Sequence, residues 1–139
     1  MNSHPFPEGQ IPSIRRVMMP RDTNAGGTIF GGVILSEIDL AAAIEAHKHH
    51  PGPVVTVAMD KIDFKEPVNV GDLVSFYTFT EKVGRTSIQV KIDVWAQRRF
   101  GSDEHISVTV ACATFVAVDE NSKPTPVLRT CDGYDYGAE

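Results

Sequence analysis

Asp39 stands out by its surroundings. In the run FGGVILSEIDLAAAIEAHKHH, residues 30–50, helical turning of about 100° per residue puts it on the same side as Gly32, Leu35, Ala42, Ala43 and Ala46. A carboxylate among small and apolar side chains is expensive to bury without partners, and small residues let a ligand or a second backbone come close. Pattern alone leaves two readings: a functional carboxylate, or a structural one that accepts hydrogen bonds from a neighbouring loop. Glu37 and Glu45 fall on a different side of the helix, where water is the expected partner.

The stretch feeding this helix, Asp22-Thr23-Asn24-Ala25-Gly26-Gly27-Thr28-Ile29-Phe30-Gly31-Gly32, is the second chemical feature. A helix start exposes unpaired N–H groups, and glycine lets a substrate approach them, so the segment suits an oxyanion or another anion. A plain glycine-rich turn accounts for the same residues. Gly26 and Gly31 have the separation of the glycines in a triphosphate-binding loop, but Gly32-Val33 stand where Lys-Ser/Thr are required. A dinucleotide fingerprint fails too, because no strand–helix–strand alternation follows.

Other catalytic signatures are missing from the sequence, with no G-x-S-x-G elbow, no HExxH and no suggestive Cys/His pair. Cys112 and Cys131 lack metal-ligand or redox-pair spacing, and Cys112, inside an apolar stretch, reads as a small core residue. His47-Lys48-His49-His50 reads as a solvated helix end, where positive charge suits the helix dipole, and no metal ligand is assigned.

These residues need elements to hold them. The run 30–50 contains no proline, is rich in Leu, Ala, Ile and Glu, and stops at Pro51-Gly52-Pro53, which predicts one long helix. Beyond it the period changes to two. Ile88, Val90, Ile92 and Val94 alternate with Ser87, Gln89, Lys91 and Asp93, predicting a strand with one wet face. HISVTVACATFVAVD puts Ile106, Val108, Val110, Cys112, Thr114, Val116 and Val118 on one side and Ala111, Ala113, Phe115 and Ala117 on the other, predicting a central strand covered on both faces. VVTVAMDKIDF and DLVSFYTFTEKV add two strands, and a short one is expected near residues 13–19. One helix buried against a mostly antiparallel sheet is an α+β layout. Residues 1–12, with Pro5, Pro7, Gly9 and Pro12, read as a flexible arm, 13–128 as the single domain and 129–139 as a mobile tail.

Length and charge narrow the partners. The 139 residues suit one domain of ordinary size, and 42% hydrophobic content supports a core. Lys and Arg number 13 against 18 Asp and Glu, a formal charge of −5. Without a basic run this argues against nucleic acid, whose phosphates need clustered cations. The start, MNSHPFPEGQIPS, lacks the basic residues and apolar core of a signal peptide, and the apolar run 30–46 carries Glu37, Asp39 and Glu45. Neither export nor a membrane span is expected, and the reading is cytoplasmic.

Four separated blocks, MPRDTNAGGTIFGGVILSEIDLAAAIEA, VVTVAMDKIDFKEPVNVGDLV, VGRTSIQVKIDVW and TFVAVDENSKPTPV, closely resemble the hotdog-fold acyl-CoA thioesterases, specifically the bacterial acyl-CoA hydrolases related to brain acyl-CoA hydrolase. The likeness runs over roughly residues 15–127. It implies an antiparallel sheet wrapped around one long central helix, two chains joining their sheets with active sites at the interface, and further assembly into a trimer of dimers, a hexamer. By position, the family's catalytic Asp falls on Asp39 in Ser36-Glu37-Ile38-Asp39, and its second polar active-site residue on Asn24 in Asp22-Thr23-Asn24. The family's G-R-S/T-S turn, on the CoA side of the site, falls on Gly84-Arg85-Thr86-Ser87. Asp63 and Glu66 depart from the pattern, in a stretch where relatives are often neutral or basic, which bears on CoA or acyl preference. The sequence past Val127 is too short to expect a C-terminal helix.

The resemblance implies hydrolysis of an acyl-CoA thioester to a carboxylate and free CoA. A thioester carbonyl is electrophilic and its thiolate leaves readily, so no metal or organic cofactor is expected, coenzyme A entering as part of the substrate. Asp39 is then a general base on water, worth ~10²–10⁴-fold, or a nucleophile forming an anhydride. Backbone N–H groups at Gly31 and Gly32 meet the oxyanion, Asn24 from the partner chain positions water or carbonyl, and Arg85, Thr86 and Ser87 hold CoA. Two rival readings stay open. One is a non-catalytic acyl-CoA-binding module, although no helix-turn-helix of a DNA-binding sensor is attached. The other is a hydratase of the same fold, which needs an Asp/His pair that His4, His47, His49, His50 and His105 do not supply. Phe30, Met59 and Phe64 read chiefly as core residues, and otherwise as the lining of an acyl tunnel.

Overall fold

The computed structural model describes residues 4–98 and 103–128. Its elements run β1 (Ile14–Val17), a 3-10 turn (Pro20–Asp22), α1 (Gly31–Ala46), β2 (Val54–Phe64), β3 (Leu73–Val83), β4 (Ser87–Gln97) and β5 (Ile106–Ala117). The strands form one antiparallel sheet in the order β1-β3-β4-β5-β2. The α+β layout expected from the sequence forms, with the sheet wrapped around its one long helix. The tail expected over 129–139, Cys131 included, lies outside the described residues.

α1 is shorter than the run 30–50, because its last turn tightens. His47 N donates to Ala43 O at 2.9 Å, but Lys48 N and His49 N reach back only three residues, to Glu45 O and Ala46 O. Pro51-Gly52-Pro53 then turns the chain into β2. The face toward the sheet carries Ile34, Ile38, Ala41, Ala42 and Ala46, all buried. Opposite them stand Ala111, Ala113, Phe115 and Ala117 of β5 and Ile88, Val90, Ile92 and Val94 of β4. Alanines on both sides let helix and sheet approach closely, and the larger residues fill the flanks.

Four expectations are corrected here. Glu45 does not face water. It stands seven residues, two helical turns, beyond Ile38 and so points at the sheet, where Thr80 and Thr78 donate to its carboxylate at 2.7 and 3.2 Å and Lys48 pairs with it at 2.8 Å. Burial pushes its carboxyl up, but Lys48 and the two threonine hydroxyls outweigh that and hold it below the usual carboxylate range. Nor are the last histidines solvated. His49 and His50 are buried, His49 bonded through Nε2 to Thr80 Oγ1 at 2.8 Å and His50 Nδ1 accepting from Leu128 N at 3.2 Å.

On β5 the side carrying Cys112 is the outer one. Val110, Cys112, Thr114 and Val116 are half-exposed there, while the alternate residues face α1. Cys112 is therefore not a core residue; its thiol lies 3.4 Å from Glu81 Oε1, and burial together with that carboxylate pushes its pKa up. The wet face of β4 is wet only at Gln89 and Lys91. Asp93 and Trp95 are buried, because the arm from His4 onward lies across them. His4 Nε2 meets Asp93 Oδ1 at 2.9 Å, and Phe6 sits edge-on to Trp95 and Tyr77 and stacks on His105 with centroids 4.0 Å apart.

β2 closes one side of the sheet. It pairs with β5 through two register shifts, between Thr56 and Ala58 and between Asp60 and Asp63, and Lys61 between them has φ 53°. Its other edge has no strand beside it among the described residues.

Candidate active site

The loop before α1 is pinned by one ion pair. Arg16 Nη2 reaches both carboxylate oxygens of Asp22, at 2.8 and 2.9 Å, and Met19 N donates to Asp22 Oδ2 at 2.9 Å. The Met19 N–H and the Arg16 guanidinium together hold the Asp22 carboxyl below its usual range despite burial. Arg16 Nη1 also lies 3.5 Å from Glu37 Oε2, so one side chain ties β1, the loop and the helix. Neither Arg16 nor this role of Asp22 was read from the sequence, because the partners are recognisable only once β1 lies beside the loop.

Asn24 closes its own loop. Its Oδ1 accepts from Thr28 N at 3.2 Å and its Nδ2 donates to Thr28 Oγ1 at 3.0 Å, around Gly27 at φ 94°, where only glycine sits without strain. Phe30 N donates to Asp22 O and Ile29 N to Val68 O, which delivers Gly31 and Gly32 to the helix start. Phe30 caps the helix without a side-chain bond, and its ring lies so close to Gly32 that a Cβ there would sit 2.5 Å from it. A cavity of about 160 Å³ opens beside Gly31, between Ile29, Ile34, Phe64, Val68 and Thr109. Phe30 and Phe64, read chiefly as core, are 57% and 50% exposed; Met59 packs partly against the core.

Asp39 occupies the helix flank rather than its buried face. It is half-buried, and Thr56 on β2 donates a hydrogen bond to its Oδ1 at 2.7 Å. Nothing in the sequence marked Thr56. Around this pair the surface is apolar: Leu40 and Ile44 on α1 and Val55 and Val57 on β2 are exposed. The turn Gly84-Arg85-Thr86-Ser87 links β3 to β4 and is held by backbone bonds, from Val127 N to Arg85 O, Ala117 N to Thr86 O and Gly84 N to Ser87 O. Ser87 stands opposite Val116, and Val116 opposite Val55, so the turn lies at the Thr56 end of the sheet.

One chain therefore carries the expected site residues as two groups. Asn24, Gly31 and Gly32 share one end; Asp39 and the turn of Arg85, Thr86 and Ser87 lie toward the other. Eight residues of helix, about 12 Å at 1.5 Å each, separate Gly31 from Asp39. Among the described residues no group of three or more His, Cys, Asp or Glu is placed to hold a metal ion.

A five-stranded antiparallel sheet wrapped around one helix, with Asp39 on the flank of that helix and glycines at its start, defines a hotdog-fold protein. The thioesterase superfamily pattern matches residues 26–99, and the chain belongs to that superfamily. An uncharacterized acyl-CoA thioester hydrolase of Haemophilus influenzae is 44% identical over 118 residues, covering 84% of this chain and 77% of that protein. Among solved structures, Cj0915, a hexameric hotdog fold thioesterase of Campylobacter jejuni, is similar with a TM-score of 0.80 and 48% identity, over 86% of this chain and 92% of that one. HI0827, a hexameric broad specificity acyl-coenzyme A thioesterase, is similar with a TM-score of 0.79 and 42% identity, over 89% of this chain and 85% of that one.

Proposed function

We propose that this chain hydrolyses acyl-CoA thioesters to a carboxylate and free CoA, at sites shared by two copies joined along β2. The observation that carries the sharing is the separation of about 12 Å between Gly31 and Asp39, too far for both to meet one carbonyl. A two-fold axis passing near Leu35, midway between them, sets Asp39 of one chain against Gly31 of the other. The free edge of β2 and the exposed Phe30, Leu40, Ile44 and Val57 supply the apolar surface for that pairing.

In each site Asp39, oriented by Thr56, takes a proton from the attacking water or attacks the carbonyl itself. Backbone N–H groups at Gly31 and Gly32 of the partner subunit stabilise the oxyanion, and Asn24 of the partner subunit positions water or carbonyl. Arg85 pairs with a CoA phosphate while Thr86 and Ser87 add hydrogen bonds. The thiolate leaves unaided, so the reaction calls on no metal or organic cofactor. Cj0915 and HI0827 are hexameric, which supports a hexamer here, built as a trimer of dimers. No described helix is long and apolar enough to cross a membrane, and the cytoplasm, where the acyl-CoA substrate resides, is the proposed compartment.

Thiol release from a panel of acyl-CoAs tests the reading. The wild-type chain is expected to release CoA, and Asp39→Ala to lose ~10²–10⁴ of the rate while keeping its oligomer. Binding without release marks a binding module, water addition to an enoyl-CoA marks a hydratase, and either result overturns the proposal.

A further inference from the structure

We infer that His4 is a positioning residue for acyl binding: carried by the arm to the outer face of the sheet, it steadies the segment that walls the cavity beside Gly31. This rests on the acyl-CoA hydrolase reading above and concerns how its substrate is held. Lys65 Nζ lies 3.2 Å from His4 Nδ1, and His4 Nε2 lies 2.9 Å from Asp93 Oδ1. An ammonium only donates, so Nδ1 accepts from Lys65, and the ring carries its proton on Nε2 and donates it to Asp93. Asp93 is buried in β4, 4% exposed, and the imidazole also meets Trp95 edge-on with centroids 5.3 Å apart. His4 thus ties the end of β2 to an anchored carboxylate two strands away.

That end of β2 is otherwise lightly held. Lys65 N and Glu66 N both turn to Val108 O, at 2.8 and 3.4 Å, so the segment leaves the sheet on one carbonyl shared by two amides. Phe64, Lys65, Glu66 and Pro67 line the cavity of about 160 Å³, and Gly31, the proposed oxyanion donor, forms another part of its wall. Neighbouring side chains on an extended chain point to opposite faces. The Phe64 ring accordingly lies against Gly31, where a Cβ would sit 3.5 Å from it, while the Lys65 ammonium reaches the arm on the far side. Holding Lys65 from outside restrains the Phe64 ring inside, and with it the shape of the cavity. A butyryl chain whose carbonyl sits at Gly31 enters that cavity; an acetyl methyl stops at its mouth.

The test compares KM and kcat for acetyl-CoA and butyryl-CoA in wild type, His4→Phe, His4→Gln and Lys65→Met. Phenylalanine keeps a ring against Trp95 and removes both hydrogen bonds, whereas glutamine supplies an acceptor and a donor in one side chain. His4→Phe and Lys65→Met are expected to raise KM for butyryl-CoA about fivefold with kcat little changed, the mark of lost binding rather than lost chemistry. KM for acetyl-CoA is expected to stay near its wild-type value, and His4→Gln to restore the value for butyryl-CoA. An unchanged KM for butyryl-CoA in His4→Phe, or an equal rise for both esters, overturns the inference. Calorimetric binding of butyryl-CoA to the Asp39→Ala protein, with and without His4→Phe, reads the same effect without hydrolysis. Absence of thiol release with either ester then counts against the hydrolase reading alone, while unchanged binding counts against His4.

Discussion

Thr56 Oγ1 donates to Asp39 Oδ1 at 2.7 Å, joining the middle of the helix to the strand with the free edge. That bond restrains the orientation of the carboxylate on the helix flank. Thr56→Val keeps the shape and removes the donor. It is expected to lower kcat roughly tenfold with little change in KM, the mark of a residue that positions the base rather than binds substrate. Steady-state kinetics on one good acyl-CoA decides it, and Thr56→Ser restoring the rate separates the hydroxyl from packing.

The proposed division of the site between two chains has a sharper consequence. Co-refolding an Asp39→Ala chain with an Asn24→Ala chain creates mixed dimers in which one of the two sites is intact. At equal input, activity is expected to return to about a quarter of wild type, since about half the dimers are mixed and each holds one good site. No recovery above the single variants would place both residues in one chain's own site.

Val57 is 55% exposed on β2, at the face where the second copy is proposed to sit. Val57→Lys puts a charge into that pairing and is expected to give a monomer by light scattering, with hydrolysis reduced at least tenfold. Full activity in a proven monomer would refute shared sites.

His50 supplies the pH dependence. Burial first, then the charge of neighbouring His47, holds its imidazole below the usual range, and the neutral ring accepts from Leu128 N. The unfolded chain therefore binds the proton first as pH falls. The stabilisation is complete above about pH 6.5 and drains away as pH drops through the folded-state value. Melting temperatures measured from pH 7.5 to 5 are expected to fall more steeply for wild type than for His50→Gln, with the Leu128 amide losing exchange protection in step. Parallel curves would remove His50 as the cause.

The helix and every strand were legible in the sequence, because helix-forming composition between proline breaks and an apolar period of two are local properties. Faces were less so. On β5 both sides are apolar, and the choice fell to Ala111, Ala113 and Ala117 because α1 presents Ala41, Ala42 and Ala46 and leaves little room between. Glu45 misled for a different reason: a carboxylate reads as solvated until Thr78 and Thr80, more than 30 residues away, are seen beneath it. The arm misled because its prolines speak only of backbone, while His4 and Phe6 anchor it through side chains. Of the candidate site, Asp39, Asn24, Gly31, Gly32 and the Arg85 turn were all named from sequence. Their separation into two groups was not, since it is a distance and not a motif, and Thr56 carries no local signal at all.

The interruptions in β2 bear on how the chain survives its own synthesis. An open strand of 11 residues is a template on which any extended segment could crystallise into a fibril seed. Two register shifts and the left-handed Lys61 break the even spacing of its N–H and C=O groups, so a flat, regular intruder finds only short stretches in phase. The bulges thus guard the open edge, leaving an arbitrary extended segment too little regular backbone to pair with.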